Sequence, residues 1–204
     1  DGEALTGALP DINSKLEAVG SIKRYRNILG VTLGTGFGGG VVINGELLLG
    51  DNAAGGDVWC FRNKKYQHLI VEESVSIRAV KRVYRELSGD TTELEPKDIY
   101  DIAEGRKAGN KEAAIASFEE FGEMAGDAIS SAITIIDGLV VIGGGLAGAA
   151  KYILPAMIRE MNSSLGMING TSFGRLQMKV FNLEDEEEFM QFARGEAVKV
   201  AIPD

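Results

Sequence analysis

The chain has 204 residues, with 21 Lys and Arg against 30 Asp and Glu, so its formal net charge is −9. This acidic balance argues against binding nucleic acid through bulk charge, because neutralising phosphates requires a basic surface. No segment approaches the roughly 20 apolar residues of a membrane-spanning helix, and no basic region followed by an apolar stretch opens the sequence. We therefore expect a cytoplasmic globular protein without a membrane partner. Because the sequence begins at Asp1 rather than at a methionine, we expect a piece of a longer chain.

The first glycine-rich run lies between two apolar segments. Residues 27–33 and 41–43 predict two β-strands, and residues 34–40 between them contain five glycines. Asn44-Gly45 after the second strand predicts a type I′ hairpin turn, since both central residues of that turn need positive φ. This part of the chain therefore predicts strand, glycine turn, strand and hairpin.

Within this run, Gly34, Gly36 and Gly39 spell G-x-G-x-x-G. A dinucleotide-binding fingerprint opens a helix, whereas this run leads into β-branched residues, so we do not interpret it as a Rossmann motif. Two interpretations remain. The glycines either let backbone N–H groups approach phosphate oxygens or permit tight packing between strands.

The middle of the chain predicts three helices. From Glu72 an apolar stripe follows helical spacing, at Val75, Ala79, Val80, Val83 and Leu87. Residues 96–103 predict a short helix with proline in its first turn. The stripe of a longer third helix consists of Ile115, Phe118, Gly122, Ala125, Ile129, Ala132 and Ile136. In that helix Gly122, Gly126 and Ser130 would let another helix approach closely, from the same chain or from a second copy.

A second glycine run follows residues 138–142, which predict a buried strand, and precedes a predicted helix at 149–158. This order is that of a Rossmann unit, and residues 143–148 again contain G-x-G-x-x-G. However, a Rossmann unit needs an acidic residue about 20 positions later, at the end of its second strand. Glu160 should still lie inside the helix, and the next plausible strand, residues 177–181, comes too late. Beyond it we expect a short helix entered through an acidic run, and an edge strand over residues 197–202.

Cys60 and His68 are the single cysteine and the single histidine. Their number excludes a disulfide framework within the chain and a structural zinc site made of Cys and His. The numbers of cysteine and histidine residues do not exclude a catalytic Cys–His pair or a Ser–His–Asp triad. We expect His68 on the surface, because its neighbours are polar, and Cys60 packed as a small apolar group between Trp59 and Phe61.

The two glycine runs together resemble a known family. Residues 33–45 are similar to the second phosphate motif, and residues 140–146 to the adenosine motif, of the ROK family of bacterial sugar kinases and sugar-responsive repressors. Either run alone is common, but their order and spacing together are specific, and the resemblance extends over most of the chain. It assigns nucleotide binding to Gly34, Thr35, Gly36, Gly143, Gly144, Gly145 and Leu146.

The resemblance implies an α/β fold of the actin-like, ribonuclease H-like ATPase type, with a mixed sheet, a β-hairpin and flanking helices. It places residues 1–204 in the C-terminal lobe of such a kinase, whose N-terminal lobe is missing from this chain. It also implies ATP and Mg²⁺ as cofactors. In the family an Asn-Asp pair provides the general base, and the resemblance gives that role to Asp1. The alternative is that Asp1 only caps a helix.

The family's sugar-binding string, Gly-Glu-Ile-Gly-His, aligns with residues 56–60. The resemblance makes Asp57 and Glu72 substrate-binding residues, since Asp57 keeps a carboxylate and Glu72 falls on a second sugar-contacting Glu. Trp59 and Cys60 replace a glycine and a histidine, and the family's zinc-binding cysteine string is absent, so we predict no zinc. Trp59 either stacks on a sugar ring or fills the region where zinc would lie.

These observations predict an ATP-dependent sugar kinase that phosphorylates a hexose or a related sugar and acts as a homodimer, with no nucleic acid bound through this chain. Two alternatives stay open. One is a sugar-sensing transcriptional regulator of the same family, which would need a DNA-binding domain outside this chain. The other is a flavin- or nicotinamide-binding protein that uses residues 143–148.

Overall fold

The computed structural model describes residues 2–195, in which helices surround one four-stranded sheet. Asp1 and the edge strand predicted over residues 197–202 lie outside the described residues. The helices are α1 (Gly2–Ala18), α2 (Ile77–Ser88), α3 (Pro96–Ala103), α4 (Lys111–Ile136), α5 (Ala150–Met161) and α6 (Glu186–Arg194). The strands are β1 (Ile28–Leu33), β2 (Phe37–Ile43), β3 (Glu46–Leu47), β4 (Leu139–Gly143), β5 (Ser164–Gly166) and β6 (Ser172–Gly174).

The main sheet is mixed, with the strand order β3-β2-β1-β4. Strand β1 is antiparallel to β2 and parallel to β4. Asn44 and Gly45 form the tight turn between β2 and β3 with φ angles of 55° and 84°, the left-handed conformations that a type I′ turn requires. The predicted glycine turn between two strands and the predicted hairpin are both confirmed.

The parallel pairing of β1 with β4 places both glycine turns at one edge of the sheet. Thr32, next to the end of β1, pairs with Gly143, the last residue of β4. Because parallel strands end on the same side, the turn after β1 and the turn after β4 leave the sheet as neighbours. Such an edge, at the carboxyl ends of the strands, is where open α/β sheets bind ligands.

Helix α4 is the longest helix and contributes most of one face of the core. The predicted stripe is confirmed at Phe118, Ala125 and Ile129, which are fully buried. In α2 the prediction is only partly correct. A short 3₁₀ turn, Val71–Glu73, precedes the helix, which begins at Ile77 rather than near Glu72. Leu87 lies in the last turn of α2 and is 54% exposed.

The small residues of α4 bring α5 close. A Cβ atom on Gly122 would overlap the carbonyl oxygen of Ile153, and one on Gly126 would lie 2.7 Å from the carbonyl oxygen of Met157. The helix that packs closely against these glycines is therefore α5 of the same chain. The predicted homodimer stays a prediction.

This close approach predicts opposite effects for two Gly→Ala substitutions. Gly122→Ala should destabilise the protein by about 1–3 kcal/mol, because its methyl group would overlap α5 backbone. Gly7→Ala, in α1, should stabilise it by about 0.5–1 kcal/mol, since nothing lies within 4 Å of its added Cβ. Denaturant unfolding of both variants measures this difference, and equal free energies of unfolding would contradict the described packing.

The segment after α5 differs from the prediction. Residues 177–181 form no strand; instead β5 and β6 form a separate two-stranded sheet. The side-chain amide of Asn162 donates to the Val180 carbonyl oxygen and accepts from the Val180 N–H, at 3.0 and 2.9 Å. The Asn162 side chain thus forms hydrogen bonds with the two backbone groups of Val180 that a neighbouring strand would use.

The predicted acidic helix is confirmed as α6, whose N-cap Asp185 accepts from the Glu188 N–H. None of the described helices is long and apolar enough to cross a membrane.

Candidate functional site

An open cleft of about 270 Å³ lies at the carboxyl end of β1, beside the end of β4. It combines the first glycine turn and its flanking strand ends with one residue of the second glycine turn and with two side chains from the loops that follow β3. The lining residues are Thr32, Leu33, Gly34, Thr35, Gly36, Phe37, Gly38, Trp59, Glu72 and Gly144.

The first glycine turn presents unpaired backbone N–H groups. The turn is closed by the Gly34 N–H, which donates to the Gly36 carbonyl oxygen at 3.2 Å. The Gly34 carbonyl oxygen accepts from the N–H of Ile77, the first residue of α2, at 2.8 Å. Within residues 2–195, the N–H groups of Thr35 and Gly36 donate to no protein acceptor. Two successive free N–H groups in a cleft wall are a favourable arrangement for binding an anion.

Glu72 links this turn to the rest of the cleft. Its Oε2 accepts a hydrogen bond from the Phe37 N–H at 3.0 Å, and a Cβ on Gly36 would lie only 2.6 Å from the same oxygen. Glycine at position 36 is therefore what allows the carboxylate to reach the turn. The other carboxylate oxygen of Glu72, Oε1, is 3.6 Å from Nη2 of Arg78, and the Glu72 side chain keeps 24% of its surface exposed. Glu72 thus retains acceptor capacity toward the cleft.

The second glycine turn packs directly on the end of β1. Gly144 has φ 94°, and a Cβ there would lie 2.7 Å from the Leu33 nitrogen. The nitrogen of Gly145 is 4.0 Å from the position that a Cβ on Gly34 would occupy. A short 3₁₀ helix, Gly145–Ala149, then leads into α5 and buries Leu146. The two glycine turns therefore meet at the end of β1, but Gly144 alone of residues 143–146 lines the cleft. Nothing lies within 4 Å of a Cβ added at Gly143 or Gly145.

The segment that precedes Glu72 contributes Trp59 to the cleft. Trp59 is 40% exposed and lines it. Asp57 is exposed, caps a 3₁₀ turn without a side-chain hydrogen bond, and is not among the cleft-lining residues. The structure therefore brings Trp59 and Glu72 together with the two glycine turns and leaves Asp57 at the side.

The cysteine prediction was wrong, whereas the histidine prediction is confirmed. Cys60 is exposed, and its thiol donates to the Asp57 carbonyl oxygen at 3.0 Å. In the 3₁₀ turn Val58–Cys60, Val58 takes the buried position, so Cys60 points elsewhere. His68 lies on the surface as expected.

Ion pairs fasten the loop between Trp59 and Glu72 to two helices. Lys64 contacts Glu123 of α4 and Glu160 of α5 at 2.7 and 2.9 Å, and Lys65 contacts Glu120 at 2.9 Å. Partial burial would lower the pKa of Lys64, but its hydrogen bonds to the two glutamates outweigh this and raise it. Sequence reasoning missed these contacts because the partners are far apart along the chain. Among residues 2–195, no group of three or more His, Cys, Asp or Glu side chains is arranged to hold a metal ion.

Comparison with known proteins supports a common origin with sugar kinases. The sequence model of the ROK family matches residues 8–179. The chain is 29% identical to an N-acetyl-D-glucosamine kinase of Haemophilus influenzae over 158 residues, which are 68% of this chain and 50% of that protein. It is also 29% identical to an N-acetylgalactosamine kinase of a Shewanella species, over 73% of this chain and 52% of that protein. The chain thus spans about half the length of these relatives.

Solved structures agree with this relationship. A glucokinase from Parabacteroides distasonis is 65% identical and superposes with a TM-score of 0.87, over 99% of this chain and 55% of that one. A ROK glucokinase from Streptomyces griseus, solved with glucose and AMPPNP, is 21% identical with a TM-score of 0.56, over 70% of this chain and 52% of that one, and shows the shared fold alone. The predicted actin-like α/β ATPase fold is confirmed. On the family match over most of its length, this chain belongs to the ROK family.

Proposed function

We propose that the protein is an ATP-dependent sugar kinase that phosphorylates a hydroxyl group of a hexose or of an N-acetylhexosamine. One observation carries the proposal: the first glycine turn with its free N–H groups, Gly144 of the second glycine turn and Glu72 line one cleft. Phosphoryl transfer to a sugar requires a site for the phosphate anion beside a group that accepts hydrogen bonds from the sugar hydroxyls. Most of the rate enhancement of such a reaction comes from positioning the reactants and stabilising charge. Family membership supports the same activity and leaves the flavin or nicotinamide alternative without support.

The nucleotide half of the proposal rests on the glycines. When bound, Mg²⁺ and ATP would supply the phosphoryl group and neutralise its developing charge. The N–H groups of Thr35 and Gly36 would hold phosphate oxygens, because no protein acceptor within the described residues uses them. Residues 143–146 would take the adenosine, since nothing lies within 4 Å of a Cβ added at Gly143 or Gly145.

The sugar half rests on Glu72 and Trp59. A carboxylate can accept hydrogen bonds from adjacent hydroxyl groups and so distinguish a sugar from a ligand that lacks them. Trp59 lines the cleft and keeps 40% of its surface exposed, which supports the stacking interpretation over space filling. Asp57 stays a proposed second acceptor that would need the sugar to extend beyond the cleft lining. Asp1 is proposed as the base that takes the hydroxyl proton.

The direct test is ADP release by the full-length protein with Mg·ATP and a panel of hexoses and N-acetylhexosamines. We expect sugar-dependent ADP release with at least one of them. Because Trp59 lines the cleft, the same sugar should change the tryptophan fluorescence, and this change should vanish in Trp59→Phe. A fluorescence change without ADP release would contradict the kinase proposal and match the sugar-sensing alternative.

A further inference from the structure

We propose that Asn63 and Ser74 are positioning residues that set the affinity of the cleft for the sugar. They act by fixing the loop that joins Trp59 to Glu72. The inference rests on the proposed function, because it concerns the sugar half of the same cleft. Neither residue lines the cleft, so their action on the sugar would pass through the two side chains that do.

Asn63 is completely buried, and its side-chain amide uses its full hydrogen-bonding capacity. Its Nδ2 donates to Ser74 Oγ at 2.8 Å and to the Ile70 carbonyl oxygen at 3.3 Å. Its Oδ1 accepts from the N–H groups of Lys65 and Tyr66 at 3.0 and 2.9 Å. Two donors and two acceptors are all that an asparagine side chain offers. This one amide therefore connects the start, the tip and the end of the loop.

The backbone closes the same loop at its base. The Val71 N–H donates to the Phe61 carbonyl oxygen at 2.7 Å, and the Asn63 N–H donates to the Leu69 carbonyl oxygen at 3.0 Å. Trp59 lies two residues before this closed base, and Glu72 follows it directly. The separation of the two cleft side chains is thus fixed by the loop that Asn63 holds together.

Ser74 extends the same restraint to the residues that follow Glu72. It is 2% exposed and lies two residues after Glu72, just beyond the 3₁₀ turn Val71–Glu73. Its bond to Asn63 restrains the turn from which the Glu72 carboxylate reaches the Phe37 N–H. Without the Ser74 hydroxyl, a buried Nδ2 hydrogen would lose its partner, and the turn that carries Glu72 would lose its link to the loop.

The test is Ser74→Ala in the full-length protein, with Ser130→Ala as matched control. Ser130 is also fully buried, but its hydroxyl donates to the Gly126 carbonyl oxygen within α4. We expect Ser74→Ala to raise the KM for the sugar roughly five- to tenfold, the effect of one lost hydrogen bond. The KM for ATP should rise less than the KM for the sugar, because the Gly34 N–H and carbonyl oxygen bond to Gly36 and Ile77 and only the hydrogen bond between Glu72 and Phe37 connects the phosphate turn to the loop. Ser130→Ala should change neither constant.

A purely structural role would lower the unfolding temperature and leave both KM values unchanged, and that result for Ser74→Ala would overturn the inference. Asn63→Ala should raise the sugar KM further, if it folds. The Trp59 fluorescence titration measures sugar binding without turnover, so the inference can be tested even in a protein that releases no ADP. A parent protein that neither releases ADP nor binds a sugar would refute the proposed function and this inference together.

Discussion

Replacing Gly36 by valine should abolish the stabilisation of the protein by Mg·ATP. The new side chain would begin 2.6 Å from the Glu72 carboxylate, so it would displace the hydrogen bond between Glu72 and Phe37 and distort the turn that holds the free N–H groups. At a nucleotide concentration 100 times Kd, binding should stabilise the parent protein by about 2.7 kcal/mol. Thermal unfolding with and without Mg·ATP measures this shift in the parent and in the variant.

Gly166→Val is the matched control for this experiment. Gly166 lies in β5, where nothing is within 4 Å of an added Cβ and where valine suits a strand. The control should keep the full nucleotide-dependent shift. An unchanged shift in Gly36→Val would remove the phosphate role from the first glycine turn.

Asp1→Asn should lower kcat by about 10²–10⁴-fold, the usual contribution of a general base. Asparagine keeps the size of the side chain and its hydrogen-bonding reach but cannot take the hydroxyl proton. Sugar binding should therefore remain close to that of the parent, as measured by Trp59 fluorescence, while ADP release falls.

Asp11→Asn serves as the control, because Asp11 is an exposed aspartate of α1. It should leave both readouts unchanged. If Asp1→Asn turned over at the parent rate, Asp1 would have no role as the base, and the helix-capping interpretation would stand.

The sequence predicted those parts of the fold whose causes lie within a few residues. Asn44-Gly45 predicted the hairpin because left-handed backbone is a local preference, and Pro96 predicted the start of α3 because proline fits the first helical turn. The failures have distant causes. The strand predicted over residues 177–181 does not form, and the backbone N–H and carbonyl oxygen of Val180 bond instead to the side chain of Asn162, 18 positions earlier.

In the candidate site, too, the features with local causes were predictable and those with distant causes were not. The glycine turns were predictable because their motifs are contiguous, and the family resemblance assigned Glu72 to the sugar. The hydrogen bond from Phe37 to Glu72 was not predictable, since the two residues are 35 positions apart. The burial of Asn63 in a polar run was equally hidden, because only the folded loop places Ser74 beside it.

A crystal structure of the full-length protein with a nonhydrolysable ATP analogue and Mg²⁺ tests the central claim most directly. We predict phosphate oxygens within hydrogen-bond distance of the Thr35 and Gly36 nitrogens, and the adenosine of the same molecule against residues 143–146. An analogue bound elsewhere, or held by only one of the two glycine turns, would contradict the account.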